Sequence, residues 1–219
     1  MRQFYYILQT LRHAVGSNLF KVVSLGLALA MSILLFTRVA YEQSFDTCFR
    51  DYDNLYQVWS QHTMKGETFL RDQNYYPVAG AIQENFPEQV EVVTSIMHGG
   101  SVMDPLYYGD TRFNESKIMA DSLFFRTMGI DVLKADLQQP NVIYLSESFA
   151  RRMFGGEDPI GKVVSYNHEY DLTVRGIYAD IPDNATVNPA AVISLSPTWI
   201  ASSWNRADLY PQYVRLRPG

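Results

Sequence analysis

The chain has 219 residues, a formal net charge of −5, 47% hydrophobic residues and 19% charged residues. This composition predicts a globular protein with a substantial core and excludes a disordered chain. The acidic balance also argues against a general nucleic-acid-binding protein, which carries an excess of basic residues. The first 41 residues differ from the rest, because they contain Arg2, Arg12, Lys21 and Arg38 but no Asp or Glu.

An uncharged stretch of sixteen residues, VVSLGLALAMSILLFT, lies between Lys21 and Arg38. As a helix it would be about 24 Å long. Because both flanking cations can extend toward lipid headgroups, we predict a transmembrane helix over residues 19–41. A buried core helix is the alternative. Arg38 and Tyr41 stand where a signal-peptide cleavage site needs small residues, so we predict an uncleaved anchor. The membrane-spanning residues chosen to represent this helix are Val22, Leu25, Leu29, Ile33 and Phe36.

Residues 1–18 have apolar side chains at helical spacing. They predict either a separate amphipathic helix on the cytoplasmic membrane face or the first turns of one long helix. The sequence GSN at 16–18 favours a break between the two. Since the cytoplasmic side of a span carries an excess of Lys and Arg, and the short N-terminal segment carries them here, we expect the N-terminus inside and residues 42–219 in the periplasm. Membrane contact is therefore expected, and nucleic acid is not expected as a partner.

Beyond the span, the pattern predicts strands at 54–59 and 90–97 and a helix at 76–87. Cys48 is the only cysteine, so it cannot form a disulfide within the chain. We favour a buried free thiol over a cross-link to a partner.

The middle of the chain is richer in predicted strands. Residues 117–120 form an extended segment, after which Asp121 or Ser122 caps a short helix ended by Gly129. A strand at 141–146 ends in Ser146, which caps a helix at 147–154. Residues 162–166 and 170–182 predict a hairpin, and residues 190–195 and 212–219 predict two more strands.

The sequence GGEDPIGKVV, residues 155–164, has the letters of a phosphate-binding loop, with Gly161 and Lys162 in the right places. Such a loop needs a strand before it and a helix after it, so that amide groups and the helix N-terminus face the anion. Here the predicted order is helix, loop, strand. Val163 replaces the hydroxyl that would bind Mg²⁺, and Glu157 adds negative charge where phosphate would lie. We therefore predict a turn that ends one helix and enters one strand, with Lys162 in solvent.

The sequence offers no pattern for catalysis or metal binding. The four histidines, His13, His62, His98 and His168, are scattered and belong to no metal-binding motif. Ser146 and Ser148 lack the flanking glycines of a nucleophile elbow. We accordingly predict no catalytic residues, no cofactor, no metal and no enzyme activity.

Two consecutive segments, VIYLSESFARRMFGGEDPIGKVV and YDLTVRGIYADIPDNA, resemble the fingerprint of the periplasmic core domain of MacB-type, FtsX-like ABC transporter permeases. The segments KIMADSLFFRTMGIDVL and YEQSFDTCFRDYDNLYQVW agree with it, as do the N-terminal helix and span. The structural fingerprint residues are Arg151, Phe154, Gly155, Asp158, Pro159, Gly161, Lys162 and Gly176.

The resemblance implies an α+β fold, in which a single N-terminal transmembrane helix is followed by a two-lobed periplasmic domain. Residues 46–104 would form the first half of an α/β lobe, and residues 105–196 an inserted β-rich lobe. Residues 197–219 would begin the second half of the α/β lobe. Because the family continues beyond this point, the chain is expected to be truncated at its C-terminus.

The resemblance also implies a function. A permease component of this type in the bacterial inner membrane would couple a separate cytoplasmic ABC ATPase subunit to export, such as efflux, or to the action of a periplasmic partner. Its partners would be that ATPase, a second permease copy or homologue, and a periplasmic protein or lipoprotein. The main alternative is a membrane-anchored extracytoplasmic sensor domain, and an anchored secreted enzyme comes third.

Overall fold

The computed structural model describes residue 6 and residues 15–98, 104–132, 137–195 and 210–218. The chain divides into two compact units, Met1–Phe45 and Asp46–Gly219. Most of the amphipathic helix predicted for residues 1–18 lies outside the described residues, as does the first part of the segment predicted at 197–219.

The first unit contains one long helix, α1 (Val15–Gln43). Residues 16–18 are helical, so the break that we favoured there is wrong and α1 runs through them. The segment Leu19–Gln43 has a mean hydropathy of 2.3 and is long and apolar enough to cross a membrane. All five residues chosen to represent the span expose more than half of their surface, which leaves the apolar stripe without protein cover.

Polar groups of α1 are satisfied within the helix itself. The hydroxyls of Ser32 and Thr37 each donate to a backbone carbonyl one turn earlier, at 2.8 Å. Such bonds allow a helix to carry hydroxyl side chains in an apolar environment. Near its end, α1 becomes polar and aromatic: Arg38 pairs with Glu42, and the Arg38 guanidinium lies 5.9 Å from the centre of the Tyr41 ring. Aromatic and basic residues of this kind favour a membrane–water boundary.

The second unit is a sheet-rich α+β domain. Its elements are a 3-10 turn (Tyr52–Asn54), β1 (Leu55–Gln57), β2 (Ser60–Met64), β3 (Glu67–Arg71), β4 (Gln73–Asn74), α2 (Pro77–Asn85), β5 (Val90–His98), β6 (Leu106–Tyr108), β7 (Thr111–Phe113), β8 (Lys117–Ala120), α3 (Phe124–Met128), β9 (Val142–Ser146), α4 (Glu147–Phe154), β10 (Val163–Tyr166), β11 (Tyr170–Tyr178), β12 (Ala191–Ser194) and β13 (Tyr210–Leu216).

One mixed sheet organises the domain, with strands in the order β1-β13-β5-β8-β12-β9-β11-β10-β6-β7 and β4 paired beside β1 on β13. The pairs β8–β12 and β9–β11 are parallel, and the other pairs in this sheet are antiparallel. Strand β5 lies in the predicted first half-lobe and β8 in the predicted inserted lobe, yet the two are hydrogen-bonded neighbours. One sheet thus contains strands from both sides of the predicted lobe boundary between residues 104 and 105. The division into two lobes stays a prediction.

Strand β9 shows how the core is built. All five of its residues are buried. Ile143 and Leu145 belong to one apolar cluster, which includes Phe149 and Phe154 of α4. Val142 and Tyr144 belong to a second cluster, which includes the aromatic residues of α3. Both faces of the sheet are therefore covered at β9, which explains why its sequence is a continuous apolar run.

Two hairpins were missed from the sequence. Strands β2 and β3 pair across the turn Lys65–Gly66, and β6 and β7 pair across Gly109–Asp110. Lys65 and Gly66 both have positive φ, 54° and 85°, which is typical of a tight hairpin turn. Strands β2 and β3 are short and mostly exposed, so they carry little of the apolar alternation on which sequence reasoning depends. Strands β6 and β7 have only three residues each, too few to show such a pattern.

The start of α4 differs from the prediction. The Ser146 side chain makes no capping bond to the helix. Instead, the backbone amide of Ser148 donates to Asp180 Oδ1 at 3.0 Å, so a residue beyond β11 supplies the acceptor. The start of α3 also differs from the prediction, because neither Asp121 nor Ser122 caps it: the N-cap is Leu123, which makes no side-chain capping bond. Asp121 Oδ1 accepts from the amide of Leu123 at 3.0 Å, in the turn just before α3.

The packing of Gly176 generates a stability prediction. A Cβ added at Gly176 would lie 2.7 Å from two ring carbons of Tyr144, which is completely buried. We expect Gly176→Ala to lower the free energy of unfolding by about 1 to 3 kcal/mol through overpacking. Urea unfolding of the whole protein in detergent micelles, followed by circular dichroism, measures this change.

The matched control is Gly80→Ala in α2, where no atom lies within 4 Å of the added Cβ. We expect it to stabilise the protein by about 0.5 to 1 kcal/mol, because alanine favours the helix. Equal urea midpoints for Gly176→Ala and the unmodified protein would contradict the described packing of Tyr144.

Candidate functional site

The fingerprint residues surround the end of α4. Arg151 is exposed, whereas Phe154 is 5% exposed and packs edge-to-face against Tyr108, with ring centres 4.6 Å apart. Gly155 follows in the left-handed conformation (φ 64°), and its amide donates to the Arg151 carbonyl at 2.9 Å. A glycine takes this conformation without steric cost, so it ends the helix.

The loop after Gly155 leads directly into β10. The Asp158 carboxylate accepts from the amide of Ile160 at 3.0 Å, and Pro159 is buried. Gly161 has φ 82°, and its amide donates to the carbonyl of Val174 in β11 at 2.8 Å. The order helix, loop, strand is therefore the one predicted, with no helix N-terminus directed at residues 156–162 where a phosphate would need one.

Lys162 is not the solvated cation that we expected. Its side chain is 24% exposed and its Nζ pairs with Glu157. The same nitrogen lies 5.0 Å from the centre of the Phe154 ring and 5.6 Å from that of Tyr108. The hydrogen bond between the two partners lowers the pKa of Glu157 and raises the pKa of Lys162. Lys162 thus covers aromatic surface at the end of α4.

A second group of contacts holds residues 46–54, which we call the proximal segment because they are the first residues of the second unit. Asp46 accepts two bonds from Thr186, one from its amide at 2.6 Å and one from its hydroxyl at 2.7 Å. The amide of Asp46 donates to the carbonyl of Asn184 at 3.0 Å. Because bonds to a carboxylate are stronger than neutral ones, this contact fixes the start of the segment.

Apolar burial fixes the middle of the proximal segment. Phe49 is 3% exposed and belongs to the core cluster that contains Ile96 and Tyr213. Its neighbour Cys48 is exposed, so the buried thiol that we favoured is wrong. Arg50 pairs with Asp131 at the surface, an interaction that contributes little in water.

Arg215 of β13 connects three parts of the domain. It is 5% exposed, and its Nε donates to the carbonyl of Thr127 in α3 at 2.9 Å. Its Nη1 donates to the backbone carbonyl of Asp51 at 3.3 Å. A single buried guanidinium therefore joins the proximal segment, the end of α3 and strand β13.

The two histidines whose side chains the structure describes lie in separate aromatic pairs. His62 stacks on Phe69 and His168 stacks on Tyr107, with ring centres 5.8 Å and 3.7 Å apart. His13 lies outside the described residues. Within the described ranges, no group of three His, Cys, Asp or Glu side chains is arranged to hold a metal.

Sequence reasoning missed the contacts of Asp46 and Arg215. The Asp46–Thr186 pair is 140 residues apart, and no local pattern records such a contact. Arg215 does leave a signal, since it is a charged residue within a strand whose first six residues are all buried. A buried arginine needs hydrogen-bond acceptors, so its presence in a buried strand predicts that other elements of the fold meet at that residue.

Comparisons with known proteins agree with this geometry. Residues 22–219 match the family model of the MacB-like periplasmic core domain. Among curated proteins, none matches the chain significantly.

Three solved structures resemble the chain. The first is a domain of a protein described as a permease, from Porphyromonas gingivalis, with 26% identity, a TM-score of 0.68, and coverage of 78% of this chain and 76% of that one. The second is the periplasmic region of MacB from Actinobacillus actinomycetemcomitans, with 16% identity, a TM-score of 0.53, and coverage of 80% and 77%. The third is the extracellular domain of the noncanonic ABC-type transporter YknZ from Gram-positive bacteria, with 12% identity, a TM-score of 0.54, and coverage of 75% and 84%.

The second and third structures are too distant in sequence to show more than the fold. The family model covers the domain and most of the helix that precedes it, which is well over half of the chain. The chain therefore belongs to the family of MacB-like periplasmic core domains of ABC transporter permease-type proteins.

Proposed function

We propose that this protein acts as a permease component of a MacB-type ABC transporter. It would couple a separate cytoplasmic ATPase subunit to export, or to the action of a periplasmic protein or lipoprotein. The observation that supports this most is the family match over residues 22–219, which includes both the apolar helix and the sheet-rich domain. The protein would contribute no catalysis of its own, and a second permease copy or a homologue would complete the membrane part.

The proximal segment is the part of the domain through which such coupling would pass. It follows α1 in the chain and is attached to its own domain by Asp46, Phe49 and the Asp51 carbonyl. These three attachments reach the loop at 184–186, the core and strand β13. If the segment moved, these attachments would move the whole domain with it. A flexible linker would instead stretch and leave the domain in place.

This role generates a prediction for the Asp46–Thr186 contact. We expect Asp46→Asn to lower the free energy of unfolding by about 1 kcal/mol, because hydrogen bonds to a charged group are strong and this one is partly exposed. We also expect it to reduce ATP hydrolysis by the assembled transporter several-fold, while the domain stays folded. Urea unfolding and the ATPase rate of the complex measure the two effects.

Asp183→Asn serves as the control, since Asp183 is an exposed carboxylate in the same loop region. A double mutant of Asp46→Asn with Thr186→Val should cost less than the sum of the single changes, because both weaken the same bond between the Thr186 hydroxyl and the Asp46 side chain. An ATPase rate that is as high in Asp46→Asn as in Asp183→Asn would argue against coupling through this contact.

The ATPase partner can be tested directly. We expect the tagged protein, expressed from its own gene and extracted in mild detergent, to co-purify with a subunit that hydrolyses ATP. The physical reason is that the loop around Gly161, which has the letters of a phosphate-binding loop, is followed by strand β10 and not by a helix N-terminus that could bind phosphate. Repeated purification without any ATPase would contradict the proposed function.

The orientation of the helix gives a further prediction. Three basic residues, Arg2, Arg12 and Lys21, precede the apolar stretch and favour a cytoplasmic N-terminus, whereas only Arg38 lies at its other end. A reporter enzyme that is active only in the periplasm, fused after Gly219, should therefore be active. An inactive fusion that is present in membranes would place the domain on the cytoplasmic side.

A further inference from the structure

We propose that the cleft beside Arg215 is a binding site for a carboxylate group. Arg215 is 5% exposed, and two of its nitrogens donate to backbone carbonyls, those of Thr127 and Asp51. Its third nitrogen, Nη2, is buried and has no hydrogen-bond partner within the part of the chain that the structure describes. The guanidinium therefore has donor capacity left over.

That unused donor is costly, because a guanidinium cannot lose its proton at any physiological pH and so stays charged. The Asp51 carboxylate does not satisfy this donor. Asp51 Oδ2 lies 3.9 Å from Nη1, beyond hydrogen-bond distance, and the Asp51 side chain is 69% exposed. An oxygen acceptor from outside the domain would satisfy the remaining N–H groups.

A cleft of about 420 Å³ adjoins this arginine. The charged residues Arg50, Asp51, Glu91, Arg126 and Asp131 line it, together with Gly129. Gly129 has φ 67°, and a Cβ there would lie 3.0 Å from Nη2 and 2.7 Å from the Cβ of Arg50. A side chain at position 129 would clash with Arg50 and crowd Nη2, so the close approach of this backbone to Arg215 depends on glycine.

The charges around the cleft favour a carboxylate over a phosphate. Arg50 and Arg126 already pair with Asp131 and Glu91, and the arginine side chains of these pairs are 59% and 64% exposed. Exposed pairs of this kind are weak and exchange partners at little cost, so Arg50 is free to turn toward a ligand. A planar group with one negative charge matches the arginine fork, whereas a dianion would meet three carboxylates that line the cleft.

The carboxylate has two sources with the same chemistry: a free small acid, or the acidic side chain or C-terminus of a protein. Acetate is the first probe. We expect sodium acetate to raise the thermal unfolding midpoint of the whole protein in nonionic detergent above that in sodium chloride of equal ionic strength, because a ligand of the native state stabilises it. Sodium phosphate should have a smaller effect.

Variants test the residues. Arg50→Gln should weaken acetate binding at least threefold, and Arg175→Gln, an exposed arginine outside the cleft, should leave it unchanged. Substitution of Arg215 would disturb the fold, so its role is tested in the unmodified protein by NMR. The ¹⁵N signals of its guanidinium group should shift on addition of acetate. Equal responses to acetate and chloride, or an unchanged acetate response in Arg50→Gln, would overturn the proposal.

A short peptide with a free C-terminal carboxylate, and the same peptide as its amide, distinguish the two sources. Binding of the acid at least tenfold tighter than acetate indicates a protein partner, and binding equal to acetate indicates a free small acid; both results support the site. Equal binding of the acid and the amide would overturn it. None of these measurements depends on an ATPase, so failure here is separate from failure of the proposed function.

Discussion

The structure depends on the position of β13 between β1 and β5. Residues Gln57 and Thr94 lie on opposite sides of Tyr213, so this one strand holds together parts of the chain that are otherwise separate in the sheet. Its side chains also connect separate parts of the domain. Tyr213 packs in the core, and Arg215 donates hydrogen bonds to both α3 and the proximal segment. If β13 moved, β1, the proximal segment and the end of α3 would lose their common support.

The parts of the fold that were predicted from sequence are those with a strong local pattern. Strand β9 is a continuous apolar run, α2 begins at a proline, and α4 ends at two glycines, so each could be predicted from its own residues. What failed depended on distant residues. Ser146 was predicted as the cap because it precedes α4 in the chain, but the Asp180 carboxylate accepts the bond from the first turn of the helix. Lys162 was assigned to solvent because nothing local shows that Phe154 and Tyr108 lie beside it.

The same distinction applies to the candidate site. The apolar helix and the fingerprint around Gly161 are visible in the sequence, and they lead to the family. The residues that attach the proximal segment are not, because Asp46, Thr186 and Arg215 come together only through the order of strands in the sheet. An aspartate and a threonine 140 residues apart have no sequence pattern in common. Family membership could therefore be predicted from the sequence. The contacts that attach the proximal segment to the domain could not.

The late position of β13 also affects how the protein is made. Strand β1 ends at Gln57, and its partner strand does not begin until Tyr210. At a synthesis rate of roughly 5 to 20 residues per second, β1 waits about 10 to 30 seconds before its partner leaves the ribosome. During that time β1 and one edge of β5 present unpaired backbone groups of the kind that pair with other chains. The domain is therefore most exposed to aggregation until β13, its last described strand, has been synthesised.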